Sequence, residues 1–133
     1  MNDENWKSKS DQFWKSQLTL EAFRILRGKG TERAFSSSMV HNKDTGVYEC
    51  GGCGLELFSS DTKFDSGTGW PSFFAPAAEN AIEYHSDRSF FMRRTEVCCS
   101  RCGSHLGHVF DDGPDPTGKR YCINALALKF TKR

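Results

Sequence analysis

Two C-x-x-C pairs, "CGGC" at Cys50 and Cys53 and "CSRC" at Cys99 and Cys102, constrain this chain more than any other feature. Each pair runs straight into a glycine, Gly54 or Gly103, which relieves the backbone where a tight turn leaves the second cysteine. Two thiolates spaced this way converge on one ion, and four around a tetrahedral ion make the usual closed, structural zinc site. The 45 residues between Cys53 and Cys99 are too many for an ordinary zinc finger, so the metal is expected to join two distant parts of a larger sheet. Iron takes the same ligand set. A redox pair is the competing reading, but such a pair usually opens a helix after a strand, and both pairs here enter turns. One structural Zn2+ per chain, held by Cys50, Cys53, Cys99 and Cys102, is the expectation.

The remaining composition narrows the class of function. Eighteen basic and 17 acidic side chains, well mixed, leave a formal charge of +1 in 133 residues. That balance offers no electrostatic case for nucleic acid or a membrane surface as partner. No segment approaches the roughly 18 consecutive apolar residues of a membrane span. The opening stretch, "MNDENWKSKSDQFWKS", lacks the apolar run of a secretory signal, so a reducing, cytoplasmic location is expected. Six cysteines in that setting point to a metal or to chemistry rather than to disulfide staples. The length fits one domain, expected as a monomer.

Residues 1–17 read as a polar arm or short helix, and residues 18–133 as the single domain. In "LTLEAFRILRGKG", Thr19 can cap a short helix, with Glu21 in its first turn and Leu18 and Phe23 as the flanking staple. Gly28 and Gly30 stop it. Beyond residue 45, "GVYEC", "IEYHSD", "SFFMRRTEVCC", "HVFDD" and "RYCINALALKF" show partial period-2 alternation between turn residues. With no long helical pattern between them, antiparallel β-structure is predicted. "FFAPAAENA" has room for one more helical turn.

Two cysteines lie outside the metal set. If residues 95–98 form a strand, Cys98 and Cys99 point to opposite faces, which leaves Cys98 an unligated thiol. Cys122 shares a strand face with Arg120 and Asn124, a cation to favour a thiolate and an amide to hold a substrate oxygen. Plain core packing is the alternative for Cys122. His105 and His108, three apart in a glycine-rich loop beside the second knuckle, are placed to donate hydrogen bonds or a proton, or else to bind a second metal. Trp70, between glycines and Pro71, can wall a pocket for a methyl or thioether group, or sit in the core behind a turn.

Together, "GTERAFSS", "YECGGCGLELFSSDTKFDSGTGWPSF", "RRTEVCCSRCGSHLGHVFDDGPDPTGKRYCIN" and "LALKF" resemble the B-type methionine sulfoxide reductases over nearly the whole chain after the first helix. The resemblance implies an all-β core of two antiparallel sheets in a small open barrel-like arrangement, with short N-terminal helices and a zinc site joining the two knuckles, away from the catalytic residues. It implies thiol-dependent reduction of peptide-bound methionine R-sulfoxide, a protein-repair activity. Cys122 would be the nucleophile that becomes a sulfenic acid, and His105 and His108 would bind or protonate the sulfoxide oxygen. Asn124 and Asp112 would orient the groups, Arg120 lies where the family keeps an arginine beside the nucleophile, and Trp70 would accept the substrate methyl. Partners would be oxidised proteins or peptides and thioredoxin or another thiol reductant. The sequence departs at Thr68, where many members carry the resolving cysteine, and at Ala125, where serine is common. The Thr68 departure predicts direct reduction of the sulfenic acid by an outside thiol, with Cys98 the only other candidate. A zinc-ribbon interaction module explains the knuckles but leaves Cys122, the histidines and Trp70 without a purpose.

Overall fold

The computed structural model describes residues 3–88 and 92–133. Residues 89–91, at the start of the expected strand stretch "SFFMRRTEVCC", lie outside the described residues, as do residues 1 and 2. Among the described residues nine strands form two antiparallel sheets, neither closed on itself. The smaller holds β2 (Glu56–Ser59), β1 (Gly46–Cys50) and β9 (Leu128–Lys132), in that order. The larger runs β3 (Lys63–Phe64), β4 (Ser72–Phe73), β8 (Arg120–Ile123), β7 (His105–Phe110), β6 (Arg94–Cys99), β5 (Ile82–Asp87). The short strands β2, β3 and β4 escaped the sequence reading; β3 and β4 span only two residues each, too few for alternation to register.

Alternation along the larger sheet sorts its two faces. Phe73, Val97, Cys99, Tyr121 and Ile123 point into the core. There Phe73 stacks on Phe58 at 4.4 Å and meets Tyr48 edge-on at 5.0 Å, which locks the two sheets together. Each such fully buried side chain contributes about 1.5–3 kcal/mol. The other face carries Asp87, Glu96, Cys98, His108, Arg120 and Cys122, because cross-strand partners share a face and the register pairs Glu96 with His108 and His108 with Cys122.

Two short helices cover one end of the core. Ser10 caps α1 (Asp11–Gln17) and Thr19 caps α2 (Leu20–Leu26), each accepting a backbone N–H three residues on, at 3.1 Å. Trp14 of α1 is fully buried among core residues, with the Arg27 guanidinium over its ring at 4.8 Å. The polar stretch before residue 18 is thus anchored by one large apolar side chain. "FFAPAAENA" contributes a single 3-10 turn, Glu79–Ala81.

Candidate active site and metal centre

The knuckles are two copies of one local structure. Gly54 N–H donates to the Cys50 carbonyl at 2.9 Å, and Gly103 N–H to the Cys99 carbonyl at 2.8 Å. Gly54 and Gly103 have φ of +84° and +78°, where a side chain would strain the backbone. Cys50 ends β1 of the smaller sheet and Cys99 ends β6 of the larger. The four sulfurs therefore tie one sheet to the other, a correction to the expected bridge within a single larger sheet. All four lie within 4.8 Å of one another, with Cys50–Cys102 at 3.6 Å and Cys53–Cys99 at 3.5 Å. A tetrahedral ion with metal–sulfur bonds of about 2.3 Å has sulfur–sulfur edges of about 3.8 Å, so this cluster fits a metal without rearrangement. Gly52 N–H and Arg101 Nε–H each donate to a cluster sulfur at 3.4 Å, a setting suited to thiolates.

Cys122 sits on the opposite face of the larger sheet, half-buried. With Trp70, His108, Asn124, Thr31, Gly107, Phe110 and Arg94 it lines a pocket of about 100 Å³. Trp70 is held there by its indole N–H, which donates to the Glu32 carbonyl at 3.0 Å. Thr68 Oγ1 lies 3.9 Å from Cys122 Sγ, so the residue standing where the resemblance expects a resolving cysteine is a direct neighbour of the thiol.

Arg120 does not have its charge to itself. Its guanidinium holds exposed Asp112 through two hydrogen bonds, at 2.9 and 3.2 Å, and covers the Phe110 ring at 4.3 Å. The Asp112 hydrogen bond raises Arg120 above its ordinary pKa, and the same contact lowers Asp112. Thr68 and Arg120 pull the Cys122 thiol down, the direction expected of a neighbouring donor and cation, but burial outweighs them and leaves it raised.

The two histidines are in strand β7 and not in a loop. A regular strand would point residues three apart to opposite faces. A bulge opposite Val97 and Cys98 takes up one extra residue, so Cys98 pairs with His105 while Val97 pairs with Gly107. The two rings then lie edge to face with centroids 5.5 Å apart. Each is bonded to a carboxylate. His105 Nδ1 meets Glu96 Oε2 and His108 Nε2 meets Asp87 Oδ2, both at 2.7 Å. Burial lowers the His105 pKa, against the pull of Glu96. Burial would raise Glu96, but the hydrogen bonds of His105 and Cys98 outweigh it and leave its pKa lowered. Glu96 is therefore the acceptor and His105 Nδ1–H the donor, while Nε2 is buried without a partner. His108 lines the pocket around Cys122, whereas His105 lines a larger cavity, about 410 Å³, with Glu96 and Cys98.

Asn124 is buried with both ends of its amide engaged by backbone: Oδ1 accepts from Glu32 N–H at 2.9 Å, and Nδ2 donates to the Leu106 carbonyl at 3.1 Å. Glu32 in turn accepts from Leu126 N–H through Oε1 at 2.9 Å. Glu32, Glu96 and Asp87 were missed in the sequence reading. Glu96 had a signal, since alternation in "RRTEVCC" puts it on the face of Cys98, but its pairing with His108 needs the strand register.

No helix among the described residues is long and apolar enough to cross a membrane. A family model described as the SelR domain matches residues 18–132. The chain is 60% identical over 129 residues to a Methanosarcina mazei protein named peptide methionine sulfoxide reductase MsrB, covering 97% of this chain and 92% of that one. A Leptospira interrogans protein of the same name is 57% identical over 125 residues, covering 94% and 95%. Mouse methionine-R-sulfoxide reductase B3, mitochondrial, is 52% identical over 122 residues, which are 92% of this chain and 48% of the mouse protein. The chain belongs to the SelR-domain family, that of the B-type methionine sulfoxide reductases.

Proposed function

We propose that this enzyme reduces the R epimer of peptide-bound methionine sulfoxide to methionine, with Cys122 as its nucleophile. The observation that carries the reading is the pocket in which a half-buried thiol, an imidazole and a tryptophan face one another. The sulfoxide methyl lies against Trp70. Cys122 sulfur attacks the sulfoxide sulfur to form an S–S bond. The oxygen then passes from the methionine sulfur to the Cys122 sulfur as that S–S bond breaks, so that methionine leaves and Cys122 is left as a sulfenic acid. The oxygen must be protonated as it transfers. His108 suits that step because it lines the pocket; His105, which burial holds neutral with Nδ1–H on Glu96, stands behind it. Asn124 braces the floor through its backbone bonds, and the Asp112–Arg120 pair sets the charge beside the thiol as it becomes a thiolate.

Two equivalents of an external thiol then restore Cys122, giving a disulfide and water. Thr68 is a neighbour of Cys122 and carries no thiol, which favours thioredoxin or a small thiol acting directly. Zinc is the metal that four thiolates suit, held by Cys50, Cys53, Cys99 and Cys102; when bound it supplies structural cross-linking with no open position for a substrate. A monomer in the reducing cytoplasm is the setting this reading fits.

The test is turnover of each sulfoxide epimer in a short peptide with dithiothreitol as reductant. The R epimer should be reduced, the S epimer not, and Cys122→Ser should turn over neither. One turnover without reductant should leave Cys122 reactive with dimedone. Equal use of both epimers, or activity that survives C122S, would sink the proposal. Cys50→Ser should lose the metal and much of the folded stability, measured as metal content and melting temperature, while a normal melt would remove the metal from the fold.

A further inference from the structure

The segment between α2 and β1 presents an exposed aromatic ring over Gly69, the neighbour in sequence of the pocket residue Trp70, and holds it there at some cost. Phe35 has φ of +62°, the left-handed region in which a bulky L side chain crowds its own backbone. Glycine or asparagine would sit there with less strain, and non-glycine residues persist in such conformations only where surrounding structure imposes them. The surroundings here are explicit. Phe35 N–H donates to the Gly69 carbonyl at 2.7 Å, and the ring lies so close over Gly69 that a Cβ added there would meet it at 2.7 Å. Three residues upstream, Glu32 bonds Asn124 through its N–H, the Trp70 indole through its carbonyl and Leu126 N–H through its carboxylate. Residues 32–35 are thus stitched to the loop that carries Thr68 and Trp70 and to the segment that follows Cys122.

Despite this bracing the Phe35 side chain is left 64% exposed. Of the large apolar side chains exposed among the described residues, only Leu20 is as open, and the Phe35 backbone is hydrogen-bonded to Gly69, next to Trp70 of the pocket. A rigid, exposed aromatic loses little entropy on contact and supplies much apolar area, which is why such residues anchor polypeptide interfaces. A free amino acid fills only the pocket at Cys122. A polypeptide with the same side chain in that pocket also carries flanking residues outward past the Thr68–Trp70 loop, the rim on which Phe35 packs.

We propose that Phe35 is a subsite for the substrate polypeptide, taking an apolar side chain that flanks the oxidised methionine. This deepens the proposed reduction and rests on it. The occupant is an extended or unfolded stretch of chain, because a methionine packed inside a folded protein cannot bring its flanking residues to this rim.

The experiment compares N-acetyl-methionine R-sulfoxide with a heptapeptide whose single methionine R-sulfoxide is flanked by leucines. Phe35→Ser should lower kcat/KM for the peptide about tenfold, chiefly through KM, and change it for the N-acetyl amino acid by less than about twofold, the scale expected for losing one partly buried ring contact. Phe35→Leu should recover most of the peptide's value. Phe35→Gly relieves the backbone strain and so keeps the fold while removing the ring; it should reproduce the same split between substrates. Equal losses on both substrates would overturn the proposal, since a ring that merely braces the Gly69–Trp70 turn acts on any sulfoxide. Unchanged peptide turnover in F35S and F35G would overturn it too, while leaving the reduction itself intact. A wild type that reduces neither substrate would overturn the reduction and the subsite with it.

Discussion

Cys98 and Cys122 share a face of one sheet, two strands apart, and neither belongs to the metal cluster. Their surroundings differ in two respects. Cys98 is 5% exposed beside the carboxylate of Glu96, and burial first, then that charge, pushes its thiol up to about 12. Cys122 is half-buried at a pocket with a hydroxyl and a guanidinium near its sulfur, and both oppose the effect of burial. A thiol that must ionise as it attacks needs access to its substrate and a cation or donor for the nascent charge. Cys122 has all of these. At Cys98 the Glu96 anion outweighs the one nearby cation named for it, Lys29. Identical side chains on one surface thus meet opposite surroundings, and the proposed roles of nucleophile for Cys122 and spectator for Cys98 rest on that difference.

The contrast can be broken first at the proton donor. His108→Asn removes the imidazole that faces Cys122, and general acid catalysis is worth about 10² to 10⁴ in rate. Single-turnover formation of the sulfenic acid should fall by that order with metal content unchanged. A loss below about threefold would return the proton to His105 or to water, and His108 would then be a support for the strand.

Arg120 gives a smaller, directional test. Its charge favours the thiolate, so Arg120→Met should move the titration of Cys122 further above the ordinary thiol range. At a fixed pH below the midpoint, raising that midpoint leaves less thiolate and slows alkylation by iodoacetamide in proportion. In the wild type, alkylation should already be slow at neutral pH and climb through the alkaline range, as a raised pKa requires. A midpoint that drops in R120M would show that Arg120 acts on Cys122 through packing and not through charge.

The smallest effect should come from Cys98→Ser. Turnover with dithiothreitol should stay within about twofold of wild type, the change expected of a substitution outside the reacting atoms. Mass spectrometry of a single turnover should show sulfenic acid on Cys122. A Cys98–Cys122 disulfide as the main product would defeat the comparison, because it would require two thiols separated by β7 and offset along it to meet.

How much of this was legible in the sequence depended on the range of the interactions. The metal set could be read because its geometry is local: two C-x-x-C turns closed by glycines carry their shape wherever they occur. The Thr19 cap of α2 is local as well. So is the sharing of one face by Arg120 and Cys122, which follows from period 2 alone. The joining of two separate sheets by those cysteines was not legible, since spacing along the chain does not say which sheet a strand enters. The meeting of His105 with His108 depends on a bulge defined by the pairing of β6 with β7, and period 2 alone predicts opposite faces. Glu96 and Asp87 reach their histidines across strand pairs, and Glu32 reaches Asn124 from 92 residues away.

By itself the sequence named the candidates for the chemistry: four cysteines able to hold a metal, and one thiol with imidazoles, an amide, an arginine and a tryptophan that the family resemblance groups around it. Only the tertiary structure decided how each behaves. Ionisation, hydrogen bonding and access are set by what a residue is buried against, and those neighbours arrive through strand register and packing. That is why Arg120 beside Cys122 could be read from three adjacent letters, while the net upward shift of that thiol could not.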